Sequence, residues 1–186
     1  MIKNKKDYKH FLKVELKLGN ASTNFFLLYF KTSLKPERRF LLLHRACEYY
    51  LNTGNKLMYY VLKYIKHRHS VKIGFSIPEN VADIGLQIPH YGTIIINHNA
   101  RLGKYCRIQA CVNIGASGGS LKAPQLGDYV YIGPGAKIYG DIQIASRIAI
   151  AANAAVGKSF LNSDKLIGGV PAKEINDVDI FKIIKK

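Results

Sequence analysis

Two polar residues, His90 and Ser120, occupy positions where the neighbouring sequence repeats an aliphatic residue every six positions. A histidine at such a position is either a hydrogen-bonded structural residue or a neutral imidazole that can accept a proton from a hydroxyl group, as a general base does. Ser120 lies in the glycine-rich residues 115–125, whose composition is typical of a loop. His90 is therefore the first candidate for chemistry, and residues 115–125 are predicted to leave the repeat as an extruded loop.

The repeat that must position these residues has a period of six. A helix would repeat about every 3.6 residues and a half-buried strand about every two, so this period predicts a hexapeptide parallel β-helix, with three hexads to a coil. The first apolar series is Ile84, Ile96, Leu102, Ile108, Ile114, Leu126, Ile132, Ile138, Ile144, Ile150 and Val156. The second is Ile88, Ile94, Ala100, Cys106, Val112, Val130, Ala136, Ile142, Ile148, Ala154 and Phe160.

The chain before the repeat is basic and predicts helices. Residues 1–70 carry 15 Lys and Arg against 4 Asp and Glu. We expect a basic α-helical domain over residues 1–70, a β-helix over 71–175 and a C-terminal tail over 176–186. Residues 1–35 favour helix, although Val14–Leu18 alternates as a strand would. Between residues 36 and 69, two helices are predicted. The apolar stripe of the first is Phe40, Leu43, Cys47 and Tyr50, and that of the second is Leu57, Val61 and Tyr64 or Ile65.

Composition limits the classes of function. The net charge of +16 fits an anionic membrane surface, an acidic glycan or nucleic acid, but no nucleic-acid recognition motif accompanies the charge, so we expect no nucleic-acid partner. The three cysteines lack metal-binding spacing, and His90 and His98 have no third histidine partner, so no metal is expected. The run Phe25–Phe30 is too short to span a membrane, and no secretion signal is recognisable. We expect a cytoplasmic protein, with the inner face of the membrane as a further location.

Several stretches resemble the serine acetyltransferase branch of the hexapeptide-repeat acyltransferases, a branch that includes enzymes acting on bacterial surface polysaccharides. These stretches are Gly85–Asn97, Ala100–Ile108, Val112–Gly115, Ile132–Ile138 and Gly169–Lys173. The resemblance implies a left-handed β-helix, mainly β, with a small α-helical N-terminal domain. It also implies acetyl-CoA as co-substrate and a homotrimer with coenzyme A in grooves between neighbouring copies, with the N-terminal helices available to pair two trimers.

Residue by residue, the resemblance places the catalytic histidine at His90. It implies direct attack of an acceptor hydroxyl on the thioester, since no Ser or Cys lies in a recognisable nucleophile motif; Cys111 is the one thiol to exclude. The residues that the resemblance places along the coenzyme are Ser117, Pro134, Ala152, Lys158 and Lys173.

The chain also departs from the serine enzymes. Pro89 stands where an aspartate precedes the catalytic histidine, and Lys122 and its two successors replace an Arg-His-Pro motif. The aspartate that orients the catalytic histidine falls near Ser76, so Asp83 or Glu79 would have to orient His90. The acceptor-side candidates are Lys122, Tyr91 and Gln87. These departures favour a hydroxyl of a bacterial surface carbohydrate as acceptor. Serine O-acetylation is the alternative, and a non-catalytic scaffold that binds a partner or membrane is a second one.

Overall fold

Three helices precede the β-structure in the computed structural model, which describes residues 1–19 and 35–184. They are α1 (Lys5–Leu18), α2 (Pro36–Asn52) and α3 (Lys56–Ile73). The Asn55 side chain accepts a hydrogen bond from Met58 N at 3.1 Å and caps α3, as an N-cap asparagine does. Helix α1 includes Val14–Leu18, so these residues do not form a strand despite their alternating pattern. The rest of the helix predicted over residues 1–35, with the Phe25–Phe30 run, lies outside the described residues.

Helix α3 buries a different face from the predicted one. Leu57 is 75% exposed and Tyr64 66% exposed, and Val61 and Ile65 are also exposed. The prediction of this stripe as the packed face was wrong. The buried face instead contains Tyr59, Lys66, Ser70 and Ile73. Polar residues can replace apolar ones on that face because Lys66 Nζ lies 2.6 Å from Glu79 Oε1 and so is not buried without a partner. No helix of the described part is both long and apolar enough to cross a membrane.

Short strands stacked in three sheets form a parallel β-helix over most of the remaining chain. The first sheet has the order β1-β2-β5-β8-β11, the second β13-β12-β10-β7-β4 and the third β3-β6-β9. The strands are β1 (Phe75–Ser76), β2 (Ile94–Ile96), β3 (Arg101–Leu102), β4 (Arg107–Ile108), β5 (Val112–Gly115), β6 (Gln125–Leu126), β7 (Tyr131–Ile132), β8 (Lys137–Tyr139), β9 (Gln143–Ile144), β10 (Ala149–Ile150), β11 (Ala155–Val156), β12 (Lys165–Gly169) and β13 (Ala172–Asp177).

The period-six residues form the core of this β-helix. From residue 94 onward, every member of both predicted series is buried. Parallel pairing keeps them in register: Ile114 lies opposite Ile138, and Ile138 opposite Val156. Equivalent residues of successive coils therefore stack along the axis about 4.8 Å apart, and the prediction of a hexapeptide β-helix is confirmed.

The first coil does not keep the predicted register. Ala82 bridges to Leu102 and Gln87 to Arg107, an offset of 20 residues, whereas Ile94 pairs with Val112 at an offset of 18. Two extra residues therefore lie in the corner between Ile88 and Ile94. As a result, Ile84 is not part of the central core and packs instead with Ile2 and Phe11 from the N-terminal segment and α1.

A buried arginine joins the helices to the first coil. Arg45 of α2 has no exposed surface and donates to Glu15 of α1 at 2.7 Å and to Glu48 at 2.7 Å. It also donates to the backbone oxygens of Ala82 and Asp83, each at 2.9 Å. Helices α1 and α2 are therefore held against the coil that carries His90.

The C-terminal segment packs against the outer face of the second sheet. After β13, a short 3-10 helix spans Ile180–Lys182. Ile180 and Ile184 are buried in a cluster with Ala149 of β10. The tail predicted over 176–186 thus lies against the β-helix as far as residue 184, where the described part ends.

Candidate functional site

His90 and two of the predicted coenzyme residues lie at the same corner of the β-helix. Gln87, Arg107, Tyr131 and Ala149 are register partners on four successive coils. Three residues after each of them come the corner residues His90, Ala110, Pro134 and Ala152. We call this corner the His90 corner. Because the first coil has two extra residues here, Gly92 rather than His90 lies against Ala110, and His90 belongs to the expansion.

Backbone hydrogen bonds fix the upper part of the His90 corner. Gly135 N donates to Ala110 O at 3.0 Å, and Asn153 N donates to Pro134 O at 2.8 Å. Gly133 has no room for a side chain, since a Cβ there would lie 2.7 Å from Ala152 N. The Pro134 and Ala152 backbones are therefore stacked directly, and both residues are exposed. Such an edge can lie against an extended ligand.

His90 lies on the surface of this corner, in the two-residue expansion of the first coil. Its side chain is exposed, so the expectation that it replaces an inward-facing aliphatic residue was wrong. Within the described ranges, its imidazole has no hydrogen-bond partner. The backbone that follows His90 is bonded to the end of α3. Gly92 N donates to Ile73 O at 3.0 Å, and Ile94 N donates to Gly74 O at 2.9 Å. An exposed imidazole on an anchored corner is available to an incoming hydroxyl.

Neither carboxylate predicted to orient His90 contacts it in the described part of the chain. Glu79 pairs with Lys66 at 2.6 Å. Burial alone would raise the pKa of the Glu79 carboxyl, but Lys66 lowers it below its usual range. Asp83 accepts from Ile84 N at 2.7 Å and lies 3.6 Å from the N-terminal amine. Both carboxylates have other partners because the helices, which sequence reasoning did not dock, lie against the first coil.

The glycine-rich segment is extruded as predicted. Ten positions separate Gly115 from Gln125, but only four separate their register partners Tyr139 and Gln143. Six extra residues therefore leave the coil, and Ser120 is exposed. Leu121 O accepts from Asn99 Nδ2 at 2.7 Å and ties the loop to the coil below.

The predicted loop residues lie away from the His90 corner. The loop follows β5, which pairs along its length with β2, whereas His90 precedes β2. At about 3.3 Å per residue, the two ends of the paired strands β2 and β5, with the residues that flank them, are on the order of 15 Å apart. Ser117 is exposed at the loop end. Lys122, an acceptor-side candidate, is also exposed there and pairs with Asp141 at 2.7 Å.

The two lysines predicted to contact the coenzyme lie at opposite ends of the paired strands β2 and β5. Lys158 follows β11 on the loop side, with its Nζ 5.4 Å from the centre of the Phe160 ring. Lys173 is the register partner of Gly168, at the upper end of the His90 corner. One copy of the chain therefore gathers His90, Pro134, Ala152 and Lys173 at one edge, and Ser117, Lys122 and Lys158 at another.

The remaining acceptor-side candidates flank His90. Tyr91 is 64% exposed beside it. Gln87 lies in a cleft of about 260 Å³ between α1, α2 and the first coil, which Pro89 also lines. Arg107, directly above Gln87, lines the same cleft, and sequence reasoning missed it. The sequence signal that could have identified Arg107 is its position, since it is an outward-facing residue of the hexad one coil above Gln87.

The cysteines do not offer an alternative nucleophile at the His90 corner. Cys47 and Cys106 are buried, and burial raises the pKa of their thiols to about 11 and about 12. A thiol with so high a pKa carries little of the reactive thiolate at neutral pH. Cys111 is exposed but lies one coil above His90, with its φ of 63° fixed by the corner. Burial therefore excludes Cys47 and Cys106 as nucleophiles, and His90 remains the predicted proton acceptor at this corner.

Comparisons with known proteins agree with this geometry. No protein-family model matches the chain. Serine acetyltransferase from Buchnera aphidicola is 32% identical over 143 residues, which are 75% of this chain and 51% of that protein. Serine acetyltransferase from Synechococcus elongatus is 33% identical over 93 residues, 49% of this chain and 38% of that protein. The chain therefore spans about half or less of the length of these curated relatives.

Solved structures show the same architecture. The Neisseria gonorrhoeae serine acetyltransferase structure superposes with a TM-score of 0.74 and 26% identity, over 94% of this chain and 68% of that one. Such likenesses confirm the predicted fold class, a mainly β, left-handed parallel β-helix preceded by helices. The chain is therefore similar in sequence to part of the serine acetyltransferases and shares their fold.

Proposed function

We propose that the protein is an acetyl-CoA-dependent O-acetyltransferase with His90 as its general base. The position of His90, Pro134 and Ala152 at the same corner of the β-helix, all three exposed, carries this proposal, because a proton acceptor then lies near one end of a surface that an extended thioester can follow. Acetyl-CoA as donor is also supported by the relatives, which are named as acetyltransferases.

The chemistry requires one proton to move twice. The neutral imidazole of His90 takes the proton of the acceptor hydroxyl as its oxygen forms a bond to the thioester carbonyl carbon. The tetrahedral intermediate collapses by breaking the carbon–sulfur bond, and the imidazolium returns the proton to the departing thiolate. The products are the acetyl ester and free coenzyme A, and His90 ends neutral. Assistance of this kind contributes about 10²–10⁴ in rate.

The complete site is proposed to lie between copies of the chain. His90 and the loop residues Ser117 and Lys122 are separated by the length of β2, so one copy does not bring them together. A flat face of parallel strands is also a poor pocket by itself, whereas two packed faces form a groove. A homotrimer, in which the loop of one copy reaches the His90 corner of the next, would supply three such grooves.

L-Serine is the acceptor that the relatives favour. Three curated proteins named serine acetyltransferase match at 32–38% identity. A carbohydrate hydroxyl is the second candidate, and two observations favour it. Pro89 cannot supply a carboxylate beside His90, and Lys122 is already paired with Asp141.

The acceptor is tested by release of coenzyme A thiol from acetyl-CoA with the purified full chain. The panel contains L-serine, common sugars and partially deacetylated surface polysaccharides. Saturable turnover with L-serine is expected. Turnover with a glycan and none with L-serine would establish the second candidate instead. If no acceptor in the panel supports release of coenzyme A, the proposed function is contradicted.

A further inference from the structure

We propose that the outward side of helix α3 binds an anionic lipid surface. We define the α3 outer face by Leu57, Val61, Tyr64, Arg68 and Val71, which follow one another at steps of four, three, four and three residues. Such spacing places side chains on one side of a helix. The inference concerns where the protein binds and does not depend on the proposed acetyl transfer.

The α3 outer face presents large apolar side chains to solvent. Leu57 is 75% exposed and Val71 69% exposed, and Val61 and Tyr64 between them are also exposed. At about 1.5 Å per residue, the face extends over about 21 Å of the helix. A continuous exposed apolar surface of this kind marks a site that contacts another protein or a membrane.

The opposite side of α3 is fixed to the rest of the protein. Tyr59 and Ile73 are buried, and Lys66 pairs with Glu79 at 2.6 Å. At the end of the helix, Ile73 O accepts a hydrogen bond from Gly92 N at 3.0 Å. The helix cannot turn its apolar outer residues inward without breaking these contacts. The α3 outer face is therefore held toward solvent, where a partner can reach it.

Charge selects the kind of partner. Helix α3 contains five Lys and Arg residues and no Asp or Glu. One of the five, Lys66, is paired with Glu79. The other four are exposed, and they are Lys56, Lys63, Arg68 and Lys72. Cationic side chains beside an exposed apolar stripe are typical of helices that lie in the surface of an anionic membrane.

Two other partners fit the α3 outer face less well. If a second copy paired its own α3 with this one, cationic residues would meet with no carboxylate from either helix between them. A soluble polyanion would contact the Lys and Arg residues but would leave Leu57, Val61 and Val71 in water. A lipid surface satisfies both sets, since headgroups contact the cations and acyl chains contact the aliphatic residues.

A tryptophan reporter tests contact with lipid, because the chain has no Trp of its own. The full chain with Tyr64→Trp is mixed with vesicles of phosphatidylglycerol and phosphatidylcholine in equal amounts. We expect a blue shift of its emission, and quenching when the acyl chains are brominated. Tyr139→Trp, which places the reporter on β8, should show neither effect. An unmoved emission in Tyr64→Trp, or the same response from both reporters, would overturn the proposal.

Flotation with the same vesicles measures the contributions of the apolar and cationic residues. The double variant Leu57→Ser, Val61→Ser should lower the partition coefficient at least about tenfold. The double variant Arg68→Gln, Lys72→Gln should do the same at low salt. A matched control, Leu161→Ser with Ile175→Ser, removes exposed aliphatic side chains from the β-helix and should bind as the wild type does.

Three outcomes would count against a lipid partner. Equal flotation of the Leu57→Ser, Val61→Ser variant and its control would show that the α3 outer face does not bind the vesicles. A smaller oligomer in that variant alone, measured by light scattering, would identify the face as an interface between copies. Binding to heparin by a protein that does not float with the vesicles would identify a soluble polyanion as the partner.

Discussion

At the scale of single residues, Arg45 shows how a buried charge can have all its hydrogen-bond donors satisfied. Its guanidinium has two carboxylates and two backbone oxygens as acceptors, so its hydrogen-bonding capacity is used. Burial alone would raise the pKa of the Glu48 carboxyl, but Arg45 and His44 lower it well below its usual range. Removing one member of such a buried set leaves an uncompensated charge and costs about 3–5 kcal/mol.

Arg45→Met is therefore expected to destabilise the fold by about 3–5 kcal/mol at pH 7. Because the folded-state pKa of Glu48 is depressed, its contribution is present above the unfolded pKa of about 4.3 and is lost as the pH falls toward the folded value. The wild type should thus lose stability below about pH 4.3. The variant, without this ion pair, should lose less.

Urea unfolding at pH 7 and at several acidic values measures both effects. Arg68→Met, which alters an exposed arginine of α3, is the matched control and should change stability by no more than about 0.5 kcal/mol. Equal stability of Arg45→Met and the control at pH 7 would show that the buried network does not hold the helices.

At the scale of elements, the extruded loop is separable from the coil that carries it. The register on both sides of the loop is regular, with Gly115 opposite Tyr139 and Gln125 opposite Gln143. A chain without residues 116–121 would close the coil with the same spacing as the one above it. The register of the coils therefore does not require the loop, which the proposed function uses in the coenzyme groove.

Deleting residues 116–121 is expected to keep the circular dichroism spectrum while weakening acetyl-CoA binding at least tenfold, as isothermal titration calorimetry would measure. Ser117 is lost with the segment, as is the bond from Asn99 to Leu121. A Ser117→Ala variant, which keeps the loop, tests the contribution of the Ser117 side chain alone. Undiminished binding by the deletion variant would remove the loop from the coenzyme site.

The elements differ in how far the sequence predicts them. The β-helix core is predictable because inward-facing apolar side chains recur every six residues over many coils. The register of the first coil is not predictable. Although this coil has two extra residues, Ile84 and Ile88 still occur at positions that fit the six-residue period. The packed face of α3 is hidden for another reason, since an ion pair with Glu79 allows Lys66 to be buried.

The residues of the candidate site also differ in how far the sequence predicts them. His90, Pro134 and Ala152 could be predicted because a motif and a coil period place them. The partners of Asp83 and Glu79 could not, since they come from the N-terminal segment and α3, whose docking has no local pattern. Arg107 was missed because its importance depends on a cleft that exists only once α1 and α2 pack against the first coil.

At the scale of the whole molecule, one chain carries the two parts of the proposed groove on different edges. His90 lies at one end of the β2–β5 row and the loop at the other. A ring of three copies would join these ends three times, which a closed heterologous interface permits. The single chain has a mass of 20.8 kDa, and we expect light scattering to give three times this mass.

Mixing two impaired variants tests the shared groove. Oligomers assembled from equal amounts of His90→Ala and the 116–121 deletion should recover about a quarter of wild-type activity, because one groove in four receives an intact histidine and an intact loop. Activity no greater than that of either variant alone would mean that each site is built within one copy.

The measurement that tests the central claim most directly compares His90→Ala with His67→Ala in the release of coenzyme A thiol from acetyl-CoA and L-serine. His67 is an exposed histidine on α3, away from the His90 corner, and controls for loss of a surface imidazole. We predict that kcat falls at least about 100-fold in His90→Ala, with KM for acetyl-CoA little changed, and stays at the wild-type value in His67→Ala. Equal kcat in the two variants would contradict the assignment of His90 as the general base.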